Sequence, residues 1–262
     1  MKNIFKTQIL IATAIASLTF TGCKKDDNTN DDDLMQPNAM RIELNHKVGS
    51  ATLAFGTNYI NANGDTFQIN KFNYYLSNFK FKKTDGTWVS AEQNRDSGLG
   101  YFLVEESTAS SKDLSMANIP AGDYTEVQFL IGVDSAANNG GSQGGALDPA
   151  NNMFWTWSSG YIYAKLEGAS PQSPSGNITF HTGGKSPDNS RIVTLVLPES
   201  ATVRKNISPE IHMFVNAAEW FKTPNTIDFS MTNNVMSGHD VTSIVDNYSD
   251  MFSIDHVHND AE

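Results

Sequence analysis

The chain has 262 residues, with 18 lysines and arginines against 29 aspartates and glutamates, six histidines and a single cysteine. Its formal charge of −11 repels nucleic acid phosphates, which argues against nucleic-acid binding and favours cations or a basic partner. One cysteine alone cannot form an internal disulfide.

Lys2 and Lys6 form a basic start, and residues 9–20 form an apolar stretch of 12 residues. That stretch is too short to span a bilayer as a mature helix but fits the core of an export signal. Residues 18–23 (LTFTGC) resemble a bacterial lipobox, with the small Gly22 before Cys23, although Phe20 is an unusual occupant. The expectation is a lipoprotein signal peptide over residues 1–22 and lipidation at Cys23, with the lipid membrane holding the protein through that residue. Residues 24–33 (KKDDNTNDDD) are too polar to bury anything. Residues 23–39 therefore read as a disordered acidic tether. The run also resembles the export tag of surface lipoproteins in Bacteroidetes, so the expected location is the outer membrane. The cell surface is favoured, with the periplasmic face as the alternative. Without residues 1–22 the chain has 240 residues and a charge of −13.

Residues 40–262 read as one all-β domain. Residues 40–46 (MRIELNH) alternate, putting Met40, Ile42, Leu44 and His46 on one face. Residues 67–81 carry two strands with a break near Ser77 and Asn78. Residues 87–89, 100–105 and 125–133 are further strands, and the glycine- and asparagine-rich residues 134–152 form a long loop. Strand signals return at 161–166, 177–181, 191–197 and 210–216. Residues 216–221 suit a turn or two of helix before Pro224. Residues 240–251 place apolar side chains at helical spacing. Short strands with turns between them predict a β-sandwich of mostly antiparallel strands, with one or two short helices near the C-terminus.

No nucleophile elbow, zincin helix, paired-cysteine motif or phosphate loop is present, and the expectation is a protein that is not an enzyme. The chemistry available lies in the six histidines, His46, His181, His212, His239, His256 and His258. Neutral imidazole suits copper, zinc, iron and nickel, and copper(II) binds tightest of the divalent series. Any one of these histidines is an ordinary hydrogen-bonded side chain unless others join it. His256 and His258 alternate, so both face one side of an extended tail. Residues 153–163 concentrate Met153, Trp155, Trp157, Tyr161 and Tyr163. Trp155 and Trp157 point to opposite sides of any strand. They are either core aromatics or, for the outward one, a carbohydrate platform, a cation-π surface or a redox-active ring. Met153 and Met251 are either thioether ligands or core filler.

The order of motifs resembles the MbnP-like copper-binding domain. The carrying residues are 42–49 (IELNHKVG), 72–78 (FNYYLSN), 120–124 (PAGDY), 129–134 (FLIGVD), 145–147 (GAL), 153–157 (MFWTW), 160–162 (GYI), 166–168 (LEG) and 180–183 (FHTG). The resemblance implies a β-rich domain that binds copper through histidines. It also implies a tryptophan oxidised to kynurenine by a di-haem cytochrome c peroxidase/MauG-like enzyme. Carried over, it nominates His46 and His181 as ligands and Trp155 as the modified residue, with Trp157 as the alternative. Some relatives have a histidine two residues after that tryptophan; here the position is Trp157, and His212, His256 or His258 is left to compensate. The alternative reading is a carbohydrate- or surface-ligand-binding lipoprotein that uses an exposed tryptophan.

Overall fold

The computed structural model describes residues 36–141, 143–236 and 239–260. The expected signal peptide, Cys23 and the first part of the tether lie outside the described residues. In chain order the strands are β1 (Asn38–Val48), β2 (Ala51–Thr52), β3 (Tyr59–Ile60), β4 (Thr66–Lys83), β5 (Trp88–Ser90), β6 (Phe102–Glu105), β7 (Asp113–Ile119) and β8 (Gly122–Ile131). A short helix α1 (Ser135–Asn139) precedes β9 (Phe154–Thr156), β10 (Gly160–Ala169), β11 (Asn177–Gly183), β12 (Arg191–Val203), β13 (Glu210–Asn216) and β14 (Asn234–Val235). The helix α2 (Thr242–Tyr248) and the strand β15 (Phe252–His258) complete the described elements.

Two sheets face each other, as the alternating strands predict. The smaller sheet runs β15-β13-β1-β2, with β7 also paired to β1. The larger follows β12-β8-β4-β10-β11-β14, with short strands added along β4 and β10. Most pairings are antiparallel; β1 with β13 and β11 with β14 are parallel. The alternation in β1 explains its place: Met40, Ile42, Leu44 and His46 are buried between the sheets, while Arg41, Glu43, Asn45 and Lys47 face outward. Phe67, Phe72, Tyr74, Phe180, Trp220 and Phe252 join them in the central core.

Three elements differ from the expectation. Residues 66–83 are one strand rather than two. Its first half pairs with β10 and β6 and its second half with β8 and β5. A register shift between Ser77 and Lys80, with Asn78 at φ 55°, absorbs the change of partner. Within the long loop, the Asp134 side chain accepts from the Ala136 and Ala137 amides at 2.9 and 3.1 Å and so starts α1. The C-terminal segment is a paired strand, β15, and not a free tail.

A second apolar cluster covers the outer side of the large sheet. Tyr75, Tyr101, Leu147, Met153, Tyr161 and Tyr163 form it, with Phe154 and Trp155 packed against it. Tyr74 and Tyr75 are neighbours in one strand, so they necessarily point to opposite faces. The molecule therefore has an inner core between the sheets and an outer aromatic cluster beneath the 132–163 segment.

Candidate metal centre

Among the described residues, one place gathers imidazoles. His212 stands on β13 and faces outward between buried Ile211 and Met213. Opposite it, β15 runs antiparallel, with His212 across from His256 and Glu210 across from His258. The register shifts between His212 and Met213, so Asp255 is an extra residue on β15. This bulge lets Asp255 and His256 both face outward before buried Val257 restores the alternation to His258.

The three rings crowd together. His212 and His256 stack, with centroids 4.3 Å apart and planes 10° apart. His258 stands edge-on to both, at 4.9 and 4.6 Å. The Nε2 atoms of His256 and His258 are 2.9 Å apart. One nitrogen from each of the three histidines lies within 4.8 Å of the others. Carboxylates surround the group: Glu43 Oε2 is 3.1 Å from His212 Nδ1, and Glu210 Oε2 is 3.7 Å from His212 Nε2. Asp255 and Asp260 approach His256 and His258 at 3.0 and 3.8 Å.

One atom tests whether a metal suits this group. His212 Nε2 is buried and has no hydrogen-bond partner. A buried imidazole nitrogen without a partner costs free energy unless something uses its lone pair. Glu43 beside Nδ1 favours the tautomer with the proton there, which leaves Nε2 as the lone-pair donor. In a tetrahedral site with metal–nitrogen bonds of 2.0–2.1 Å, ligand nitrogens lie about 3.3 Å apart. The observed spacings, 2.9 Å between His256 and His258 and up to 4.8 Å within the group, bracket that value, and the stacked His212 and His256 rings turn to aim their lone pairs at one ion. The residues present therefore fit a nitrogen-preferring metal ion.

His46 has a different setting. Its Nδ1 is 2.6 Å from Glu106 Oε2, and its Nε2 is 2.7 Å from the Tyr74 hydroxyl. Lys112 Nζ donates to the same Glu106 oxygen at 3.0 Å. Both ring nitrogens are thus already engaged by protein groups. Burial lowers the His46 pKa from its ordinary value, against the raising effect of the Glu106 hydrogen bond and charge. Burial of Glu106 opposes its ionisation, but the hydrogen bonds from His46 and Lys112 outweigh it and hold the carboxyl below its usual range. A concavity of about 260 Å³ opens beside His46, Glu106 and Lys112.

His181 lies on β11 opposite Lys165 of β10, and its Nε2 is 2.8 Å from Glu167 Oε1. Its Nδ1 is buried without a partner. Burial is the first cause of its lowered pKa, opposed by the Glu167 hydrogen bond. Trp155 stands partly exposed on β9, Trp157 is 66 % exposed, and Met153 is fully buried in the outer cluster. Met251 sulfur accepts a hydrogen bond from the Trp220 indole at 3.3 Å inside the core.

Comparison with known proteins gives the family. The sequence model of the MbnP family matches residues 37–237. The chain belongs to the MbnP family. Among solved structures, the chain is similar to MbnP from Methylosinus trichosporium, with a TM-score of 0.48 and 14% identity. That match covers 87% of this chain and 99% of the other. No curated protein sequence matches. Of the three clustered histidines, only His212 falls within the stretch matched to MbnP; His256 and His258 lie beyond it.

The MbnP resemblance nominated His46, His181 and Trp155 for one centre, and the structure does not bring them together. His46 meets Tyr74 on the inner face of β4. His181 and its partner Glu167 belong with Lys165 and Asn73, residues that alternate with Phe72 and Tyr74 and so face the other side of the large sheet. Trp155, Trp157 and Met153 are on that outer side too, whereas the clustered histidines face outward from the small sheet. Strand parity separates what motif order had joined. The cluster itself was foreshadowed by the alternation of His256 and His258 and by the choice of His212, His256 or His258 to compensate for the missing ligand. No sequence signal paired them with His212 across the bulge, or drew in Glu43 and Glu210.

Proposed function

We propose that the protein binds copper through His212, His256 and His258 and acts as a metal-binding protein without an enzymatic role. The observation that carries this reading is the convergence of one nitrogen from each of three imidazoles within 4.8 Å, together with a His212 Nε2 that is buried without a hydrogen bond. Membership of the MbnP family, which is associated with copper, supports the choice of metal. Three nitrogen donors with carboxylates around them suit copper(II), which leads the divalent series at imidazole sites. The two methionines singled out as thioether donors are buried elsewhere, Met153 in the outer cluster and Met251 in the core. Bound there, copper supplies a redox-capable cation held at the surface. Glu43 orients His212, while the half-buried His256 and the exposed His258 leave the group open to exchange with solvent and partners.

An anchor at lipidated Cys23, reached through the acidic tether, puts this site at the outer membrane surface; the lipobox-like LTFTGC sequence supports it. Oxidation of Trp155, or alternatively Trp157, to kynurenine by a di-haem partner is a separate proposal. It rests on the MFWTW motif, and it serves a place on the molecule other than the histidine cluster. Intact mass of protein from its native host tests both covalent changes. Copper(II) titration followed by electron paramagnetic resonance tests the site: stoichiometric binding with nitrogen hyperfine structure supports it, and the absence of saturable binding overturns it.

A further inference from the structure

A second cleft, of about 330 Å³, lies against Trp155. Its floor is Gly183 and Gly184, and its rim includes Ser159, Lys185 and Asn189. The diglycine keeps it open. Both residues sit in the left-handed region, at φ 137° and 93°. A Cβ on Gly183 would lie 2.4 Å from the Tyr161 carbonyl oxygen, so the backbone there admits only glycine. A Cβ on Gly184 would come 3.7 Å from the Trp155 ring and 3.3 Å from the Ser159 carbonyl oxygen, which is the space of the cleft itself. The floor is fixed in place. Gly184 donates to the Tyr161 carbonyl at 2.9 Å and accepts from Asn138 at 2.8 Å, and Asn189 Nδ2 donates to the Gly183 carbonyl.

The lining is chemically mixed in a particular way. It has one partly exposed indole, the apolar Met236 and Val241, the His239 ring held at Nδ1 by the backbone of Asn234 and Met236, and three polar groups without partners among the described residues. These are the Lys185 ammonium, the Ser159 hydroxyl and the Asn189 side-chain oxygen. A sugar ring matches this: its C–H face packs on an aromatic face while its hydroxyls satisfy donors and acceptors at the edge. Phosphorylated ligands fit poorly, because the rim offers one lysine and no arginine, and the chain carries −11 overall.

We propose that the Trp155 cleft, in the form of the protein whose indole is not oxidised, binds a neutral saccharide, with a sugar ring stacked on the indole and its hydroxyls held by Lys185, Ser159 and Asn189. The site is separate from the histidine cluster, so each can fail without the other. The test is calorimetric and tryptophan-fluorescence titration of the purified protein with cello-, xylo-, manno-, malto- and chito-oligosaccharides, and with adenosine as a ring-stacking control. The expected result is saturable binding of at least one oligosaccharide series and none of adenosine. Trp155→Ala and Lys185→Ala should each weaken it about tenfold, the scale of one lost aromatic or charged contact. Trp157→Ala should change it less than about twofold, since Trp157 does not line the cleft. Lys185 is exposed and has no partner among the described residues, so its variant remains informative even where Trp155→Ala disturbs folding. The proposal is overturned if no series binds, if both variants bind like the parent, or if adenosine binds in place of the sugars.

Discussion

Replacing Tyr74 by phenylalanine separates a structural histidine from a metal ligand. The change removes the hydroxyl 2.7 Å from His46 Nε2 and leaves the fully buried ring otherwise in place. It strands a buried imidazole nitrogen, because the other nitrogen is held by Glu106 at 2.6 Å. Leaving such an atom unsatisfied costs roughly 1–3 kcal/mol. For a domain of this size each kcal/mol lowers the unfolding midpoint by about 2–4 °C, so a loss near 2 kcal/mol gives a drop of about 4–8 °C. Thermal unfolding by circular dichroism in metal-free buffer reads this directly, and a parallel copper(II) titration should show affinity within about twofold of the parent. An unchanged midpoint would refute the structural role. A tenfold or larger loss of copper affinity would refute the separation of His46 from the metal centre.

Other outcomes follow from the same geometry. Burial lowers the pKa of His46 and of His181 below the ordinary 6.5, so the folded state binds fewer protons than the unfolded one. Their contribution is complete above about pH 6.5 and is lost as pH falls toward their lower folded values; His46→Gln and His181→Gln should each flatten the urea-unfolding free energy against pH in that window. Glu43→Gln removes the carboxylate beside His212 Nδ1 and should weaken copper binding by about 10–100-fold, measured by competition with a chelator; an unchanged affinity would remove Glu43 from the site. Gly168→Ala would put a Cβ 1.8 Å from the Gln68 carbonyl oxygen where β10 meets β4. It should cost about 2–3 kcal/mol in chemical denaturation, and a neutral result would contradict the described register.

Much of the fold was legible because most strands obey simple alternation. β1 shows it plainly, with four buried even-numbered residues from Met40 to His46. β7 was not read: Leu114 and Met116 alternate, but Asn118 at φ 58° breaks the period before Ile119. β15 was hidden for a related reason, since Asp255 and His256 both face outward and the sequence looks like a polar tail. The strand 66–83 looked broken because Ser77 and Asn78 carry a bulge rather than an end. The metal centre was only half legible. His256 and His258 announce a shared face, but His212 joins them through a strand pairing that no local pattern encodes. The family motifs pointed instead to His46, His181 and Trp155, and strand parity puts His46 on the inner face of the large sheet and the other two on its outer side.

In the proposed metal centre, three histidines on the outer face of the small sheet hold copper. Equilibrium dialysis of copper(II) against the parent protein, the His212→Ala/His256→Ala/His258→Ala variant and the His46→Ala/His181→Ala variant tests it most directly. The expected result is one tightly held copper in the parent and in the double variant once folding is confirmed, and none in the triple variant. Retention of copper by the folded triple variant, with its loss from the folded double variant, would contradict it.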